Sequence, residues 1–171
     1  MEHSRRHATR AVRPAFVAAL VVGALAVPAT ASANDAARPV VGARADTLTL
    51  DAVSGVGTVD GTGVLAHLGR FTSQSGVQFV PTGPTSFIYF GSATLIAANG
   101  DELRTTFQGS GANTSATTSA STCTFTVIGG TGRFEGATGA ITDSAHSTLV
   151  SLVGTTATYH DSATDQGTIT Y

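Results

Sequence analysis

The sequence predicts an all-β domain of about eight strands, arranged as a sandwich or a barrel. Three observations carry this. From Thr47 onward Thr, Val, Ser, Gly, Phe and Ile dominate, the β-branched and glycine-rich composition of strands and tight turns. Apolar runs with helical periodicity are missing. Turn signals recur at short intervals to the end of the chain, and a closed barrel would leave no strand edge open to another chain.

The 171-residue chain opens on a different pattern. Arg5, Arg6, Arg10 and Arg13 are accompanied by one acid, Glu2, and an uncharged stretch follows from Pro14 to Ala33. Its apolar heart is 15–27 and it ends Ala31-Ser32-Ala33. Basic start, apolar run and small-residue cleavage site are those of a signal peptide, so 1–33 is expected to be removed and the protein to be secreted or periplasmic. A membrane-spanning helix needs ~20 apolar residues. The run here is shorter, with Pro28 behind it, and no membrane attachment is expected after cleavage. His7-Ala8-Thr9 after Arg5-Arg6 suits the general secretory route better than the twin-arginine one.

Four arginines leave with the leader. From Asn34 the chain keeps five (Arg38, Arg44, Arg70, Arg104, Arg133), ten acids and no lysine, a net charge of about −5. No basic surface for a phosphate backbone exists, so nucleic acid is not an expected partner. Cys123 is the only cysteine and cannot form an intrachain disulfide. It alternates with threonines on the face of Phe125 and Val127 and is expected to be a buried small hydrophobe. No cationic neighbour in the local sequence would make it reactive.

The elements follow in order. Residues 34–46 have no clear period and read as a flexible linker, leaving 47–171 as the barrel domain. Thr47–Val53 alternates around Leu48 and Leu50. Gly61–Ser73 reads as one strand, and Val77–Val80 as a short one ended by Pro81-Thr82-Gly83-Pro84. Ser86–Ala98 is long and apolar. Asn99-Gly100 is a hairpin signal with positive φ expected at both residues, and Asp101–Gly109 returns. Residues 110–120 are small and polar and read as a mobile loop. Strand character resumes at Thr122–Ile128, breaks at Gly129-Gly130-Thr131-Gly132, and returns through Arg133–Asp143, Ser147–Val153, Thr155–Tyr159 and Gly167–Tyr171.

The run Gly130-Thr131-Gly132-Arg133-Phe134, followed by Gly136-Ala137-Thr138-Gly139, resembles the corresponding turn of allene oxide cyclases and plant dirigent proteins. His67-Leu68-Gly69-Arg70-Phe71-Thr72, Ala97-Ala98-Asn99-Gly100-Asp101-Glu102-Leu103 and the terminal Gly167–Tyr171 resemble exported bacterial relatives, the allene oxide cyclase barrel-like proteins. The resemblance spans about residues 47–171 and implies an eight-stranded antiparallel up-and-down β-barrel whose lumen takes a small apolar molecule. In the plant cyclases a glutamate near the first strand and a cysteine assist ring closure of an unsaturated fatty-acid epoxide. Here the early strands offer only Asp51 and Asp60, and Cys123 has no matching position. Dirigent proteins use luminal aspartates and an arginine, which the sequence does not align.

The glycine-rich run 129–139 is read as a turn and not as a phosphate cradle, because no helix follows it and the Walker lysine is missing. His67, Arg70 and Glu135 are the candidate catalytic residues. On one strand His67 and Arg70 would face opposite ways, unless Gly69 opens a bulge. The plainer alternatives are a half-buried structural His67 and an Arg70 ion pair with Asp101 or Glu102. Phe87, Tyr89, Phe90, Phe107 and Phe125 are the candidate ligand-binding wall, or plain core. His146, His160, Asp143, Asp161 and Asp165 gather near the end without metal-ligand spacing, so no metal and no cofactor are expected.

Three functions stay open: a binding module for a small apolar molecule, a cyclase or isomerase acting on a polyene or epoxide, and a structural protein with a filled barrel. An open lumen of several hundred cubic ångströms favours the first two. An inward acid or histidine without an ion-pair partner favours the cyclase. Association into homo-oligomers is left open.

Overall fold

Alternation decides which side chains enter the molecule, because successive strand residues point to opposite faces. In the computed structural model, which describes residues 36–171, this rule holds along eight strands. They are β1 (Arg38–Asp51), β2 (Val56–Leu65), β3 (Gly69–Pro81), β4 (Ser86–Ala97), β5 (Glu102–Asn113), β6 (Thr118–Gly130), β7 (Thr138–Val153) and β8 (Thr156–Thr170). Each pairs antiparallel with the next, and β1 closes on β8 from Arg38 opposite Ile169 to Asp51 opposite Thr156. The result is a closed eight-stranded antiparallel barrel. The expected signal peptide lies outside the described residues.

The structure corrects several sequence-based boundaries. The linker expected at 34–46 is strand from Arg38 onward. Its inward positions carry Arg44 and Asp46, so it lacks the apolar alternation that marks a half-buried strand. Pro39 fits because Arg38–Val41 is paired only with β8, while pairing with β2 begins at Gly42. The single strand expected at Gly61–Ser73 is two strands joined by a turn at 66–68, where His67 adopts a left-handed φ of 68°. An apolar Leu68 buried in that turn hid it from the sequence. The mobile loop expected at 110–120 is mostly ladder: β5 runs to Asn113 and β6 starts at Thr118. The inward positions Gly109 and Gly111 leave space that the rings of Tyr89 and Phe87 fill from β4, so the packing surface of β5 is supplied by its neighbour. Residues 133–137 belong to a 3₁₀ turn and its exit, with β7 starting at Thr138. At the Asn99-Gly100 hairpin only Gly100 has positive φ. Its N–H donates to the Ala97 carbonyl at 2.9 Å, which makes a type I turn followed by a left-handed glycine.

One end of the barrel is plugged. The connection between β6 and β7 turns inward, and Phe134 on it has no exposed surface. Phe134 meets Tyr171 edge-on at 5.0 Å and packs in one apolar cluster with Val40, Leu103 and Ile169. Gly132 in this turn has a φ of 57°, and a Cβ there would strike the Asp101 carboxylate. Arg133 ties the plug to the neighbouring turn by donating to the Leu68 carbonyl at 3.0 Å. Replacing Phe134 with alanine is expected to destabilise the barrel by about 3–5 kcal/mol through lost burial and the cavity left behind. Urea unfolding of the two proteins measures this directly.

Candidate functional site

The other end is open. A cavity of about 440 Å³ runs from the rim formed by 53–55, 83–86 and Asn113 down to Arg44, Asp46 and Asp143 at mid-barrel. Its wall is a chain of rings on adjacent strands. Phe79 and Tyr89 stack at 5.1 Å, Phe79 and Phe87 lie at 5.6 Å, Tyr89 and Phe107 at 6.3 Å, and Phe107 and Phe125 at 5.2 Å. These are the spacings of offset and tilted aromatic contacts. Ser73, Ser119, Ser121 and Ser147 add small polar groups to the lining.

The floor is charged. Arg44 points inward from β1, its Nε 3.0 Å from Asp46 Oδ2 and its Nη2 bonded to Asp143 Oδ2. Its guanidinium lies 4.7 Å from the centroid of the Phe125 ring. Strand register sets the acids in two facing couples: Asp46 opposite Asp161 across β1 and β8, and Asp143 opposite Asp165 across β7 and β8. Like charges directly opposite each other in a ladder are destabilising. Space for Asp46 comes from Gly61 on β2, where a Cβ would collide with its carboxylate. Opposite Arg44 stands Ala163, small enough to leave the guanidinium room.

Electrostatics follow from burial. Removal from water pushes the Asp46 and Asp143 carboxyls up to about 6, against the pull of Arg44, and the neighbouring aspartates add to the rise. Asp161 and Asp165 are raised for the same first reason. Burial works against the Arg44 cation, but Asp46, Asp143 and Asp165 outweigh it and Arg44 stays charged. Four carboxyls therefore share one guanidinium. Asp161 and Asp165 make no ion pair among the described residues. Burial also pushes the Cys123 thiol up to about 12, with Asp143 adding to it, so Cys123 is the inert buried residue its neighbours predicted.

Of the expected wall, Phe87, Tyr89, Phe107 and Phe125 line the cavity, with Phe79 added. Phe90 does not: next to inward Tyr89 it must face out, and it is 47% exposed. His67, Arg70 and Glu135 are all exposed at the plugged end, away from the cavity. The ion pair expected for Arg70 is not formed, because Glu102 binds Arg104 at 2.7 Å and Asp101 lies 3.6 Å from Arg133. Asp51 caps the rim turn, accepting from the Ser54 and Val53 amides and from Thr155. Those bonds, the Ser54 amide first, lower it to about 2. Asp60 is exposed on the outer face.

Sequence reasoning misses Arg44 and Asp46, because their segment lacks apolar alternation and reads as a linker. Asp143, Asp161 and Asp165 were seen, but grouped with His146 and His160. Parity separates them: on β7 and β8 the aspartates sit at inward odd positions, while both histidines are even and exposed.

No protein-family model and no curated protein matches the chain. Among solved structures it is similar to a dirigent protein. That protein is a pterocarpan synthase, 13% identical, aligned over 80% of this chain and 86% of its own with a TM-score of 0.39.

Proposed function

We propose that this exported barrel holds a small apolar molecule in its lumen and catalyses an intramolecular cyclisation or isomerisation there, with a buried carboxyl as general acid. The observation that carries the reading is Asp161. It lines the aromatic cavity, forms no ion pair, and faces Asp46 across the strands. Burial raises the Asp161 carboxyl and so favours its protonated form, while Arg44 pulls its neighbour Asp46 toward the ionised form.

On an epoxide substrate the chemistry balances without a co-reactant. Asp161 gives its proton to the ring oxygen as the C–O bond breaks. An internal hydroxyl attacks the carbon released and closes the new ring. The Asp46 carboxylate takes the proton that this hydroxyl sheds, the proton passes back to Asp161 opposite it, and the product is an isomer of the substrate. The rings of Phe79, Phe87, Tyr89 and Phe107 hold a flexible chain folded and keep water away. A solidly filled structural barrel is disfavoured by the cavity of about 440 Å³.

The test is incubation with a panel of apolar epoxides bearing an internal hydroxyl or alkene, read by chiral chromatography. The expected result is one cyclic enantiomer, with Asp161→Asn slowing turnover by about 10²–10⁴-fold. Binding of the neutral dye N-phenyl-1-naphthylamine is expected to change little in that variant. Product no different from buffer, with the dye still bound, overturns the catalytic part and leaves a binding module. A wild-type protein that binds no dye overturns both.

A further inference from the structure

We infer that the lumen floor is a site for an organic cation, so that the molecule held in the barrel carries an amine in its ammonium form. This rests on the reading that the lumen takes a ligand, and adds the ligand's charge. Three observations lead to it. First, the cavity floor carries three carboxyls, Asp46, Asp143 and Asp161, with Asp165 opposite Asp143 in the ladder, and one guanidinium that is already held between Asp46 and Asp143 under the Phe125 ring. A ligand carboxylate would have to displace those partners, whereas a ligand cation would not.

Second, the unpaired atoms of the cavity floor are mainly acceptors. Asp143 is 1% exposed, yet its Oδ1 has no hydrogen-bond partner, and neither has Asp46 Oδ1 or Asp161 Oδ1; the one unpaired donor, Arg44 Nε, lies 3.0 Å from Asp46 Oδ2. Buried polar atoms are ordinarily paired. An ionised carboxylate only accepts, and an ammonium group brings three donors and no acceptor. Third, the wall above the floor is aromatic, and the faces of Phe and Tyr rings attract a cation. A metal ion is the other cation to consider. Among the described residues no three His, Cys, Asp or Glu side chains converge closely enough to hold one. An organic cation, with its charge spread on a larger group, fits a cavity of about 440 Å³.

The groups facing the floor also set its pH dependence. Arg44 and Asp46 come from β1, Asp143 from β7, Asp161 and Asp165 from β8. Tyr89 of β4 and Cys123 of β6 also approach, and burial keeps both neutral. The exposed His160 lies next to Asp161 on the outer face. As pH falls through the region of 6, Asp46 and Asp143 take up protons, and the floor loses its attraction for a cation.

Three ligands sharing one ring system decide the matter: 1-naphthylmethylamine, 1-naphthalenemethanol and 1-naphthoate, titrated calorimetrically into the wild-type protein. At pH 7.5 the amine is expected to bind at least about tenfold tighter than the alcohol, and the carboxylate weakest of the three. At pH 5 the amine's advantage is expected to shrink to about twofold or less. Equal binding of amine and alcohol, tightest binding of the carboxylate, or a preference unchanged between the two pH values overturns the inference while leaving the lumen a ligand site. If none of the three binds but N-phenyl-1-naphthylamine does, the cation site also falls and the apolar lumen stands. If the dye fails as well, the reading it rests on falls too.

Discussion

Replacing Arg44 with methionine is expected to destabilise the barrel by about 3–5 kcal/mol at pH 7.5, the usual cost of removing one partner from a buried ion pair. Arg44 is the only cation on the floor among the described residues, and its removal leaves Asp46, Asp143, Asp161 and Asp165 without a countercharge. Methionine fills a similar volume, so the loss is one of charge more than of packing. The loss is expected to shrink at pH 5, where the carboxyls escape by protonation. A second substitution set separates stability from use. Arg44→Met combined with Asp46→Leu and Asp143→Leu is expected to recover most of the loss, because well-packed apolar replacements of buried ion pairs are often neutral or stabilising. Urea midpoints of wild type, single variant and triple variant at both pH values provide the check. A triple variant as unstable as the single one would mean that the floor is built mainly to hold the barrel together. Recovery would mean that the charges are not retained for stability.

The barrel was legible in the sequence because its evidence is distributed. Turn residues recur, β-branched residues dominate, and Asn99-Gly100 and the glycine-rich run 129–139 punctuate the ladder where the structure turns. What failed was parity near the candidate site. Period-2 apolar alternation identifies a strand only while its inward positions are apolar. β1 carries Arg44 and Asp46 at two of them, and this broke the signal where the site is. β5 failed for the opposite reason, with Gly109 and Gly111 too small to register as core although rings from β4 occupy their space. The aspartates of β7 and β8 could have been assigned inward from Ile141 and Ile169, which share their parity and are buried. Grouped with the neighbouring His146 and His160, which are exposed, the aspartates show no metal-ligand spacing, and the grouping hides their shared inward parity. His67 and Arg70 are titratable residues in a segment with a family resemblance, but His67 lies in the turn at the plugged end and Arg70 at the exposed start of β3.

Stability is expected to be greatest near pH 4 and to fall toward neutrality, the reverse of a protein whose carboxylates are well paired. The sign follows from the direction of the shifts. Asp46 and Asp143 rise from 3.8 to about 6 in the folded barrel, so between those values the folded state binds more protons than the unfolded chain. Raising pH through this window ionises the unfolded chain first and removes stability; above about 6 the loss is complete and the curve flattens. A shift of this size in one carboxyl corresponds to about 3 kcal/mol. Arg44 couples the two groups, so they titrate jointly and their losses do not simply add. Asp51 acts in the other sense at the acid end. Its carboxyl is lowered from 3.8 to about 2 by the rim hydrogen bonds, so the stability it contributes is present above 3.8 and is lost as pH falls toward 2. Between the two effects lies a maximum. Urea unfolding at half-unit steps from pH 3 to 8 is expected to show it, with Asp143→Asn removing part of the decline above pH 4. A midpoint that instead climbs steadily from pH 4.5 to 7.5 would mean that the floor aspartates are ionised and satisfied by Arg44 alone. No neutral carboxyl would then remain in the lumen to give up a proton.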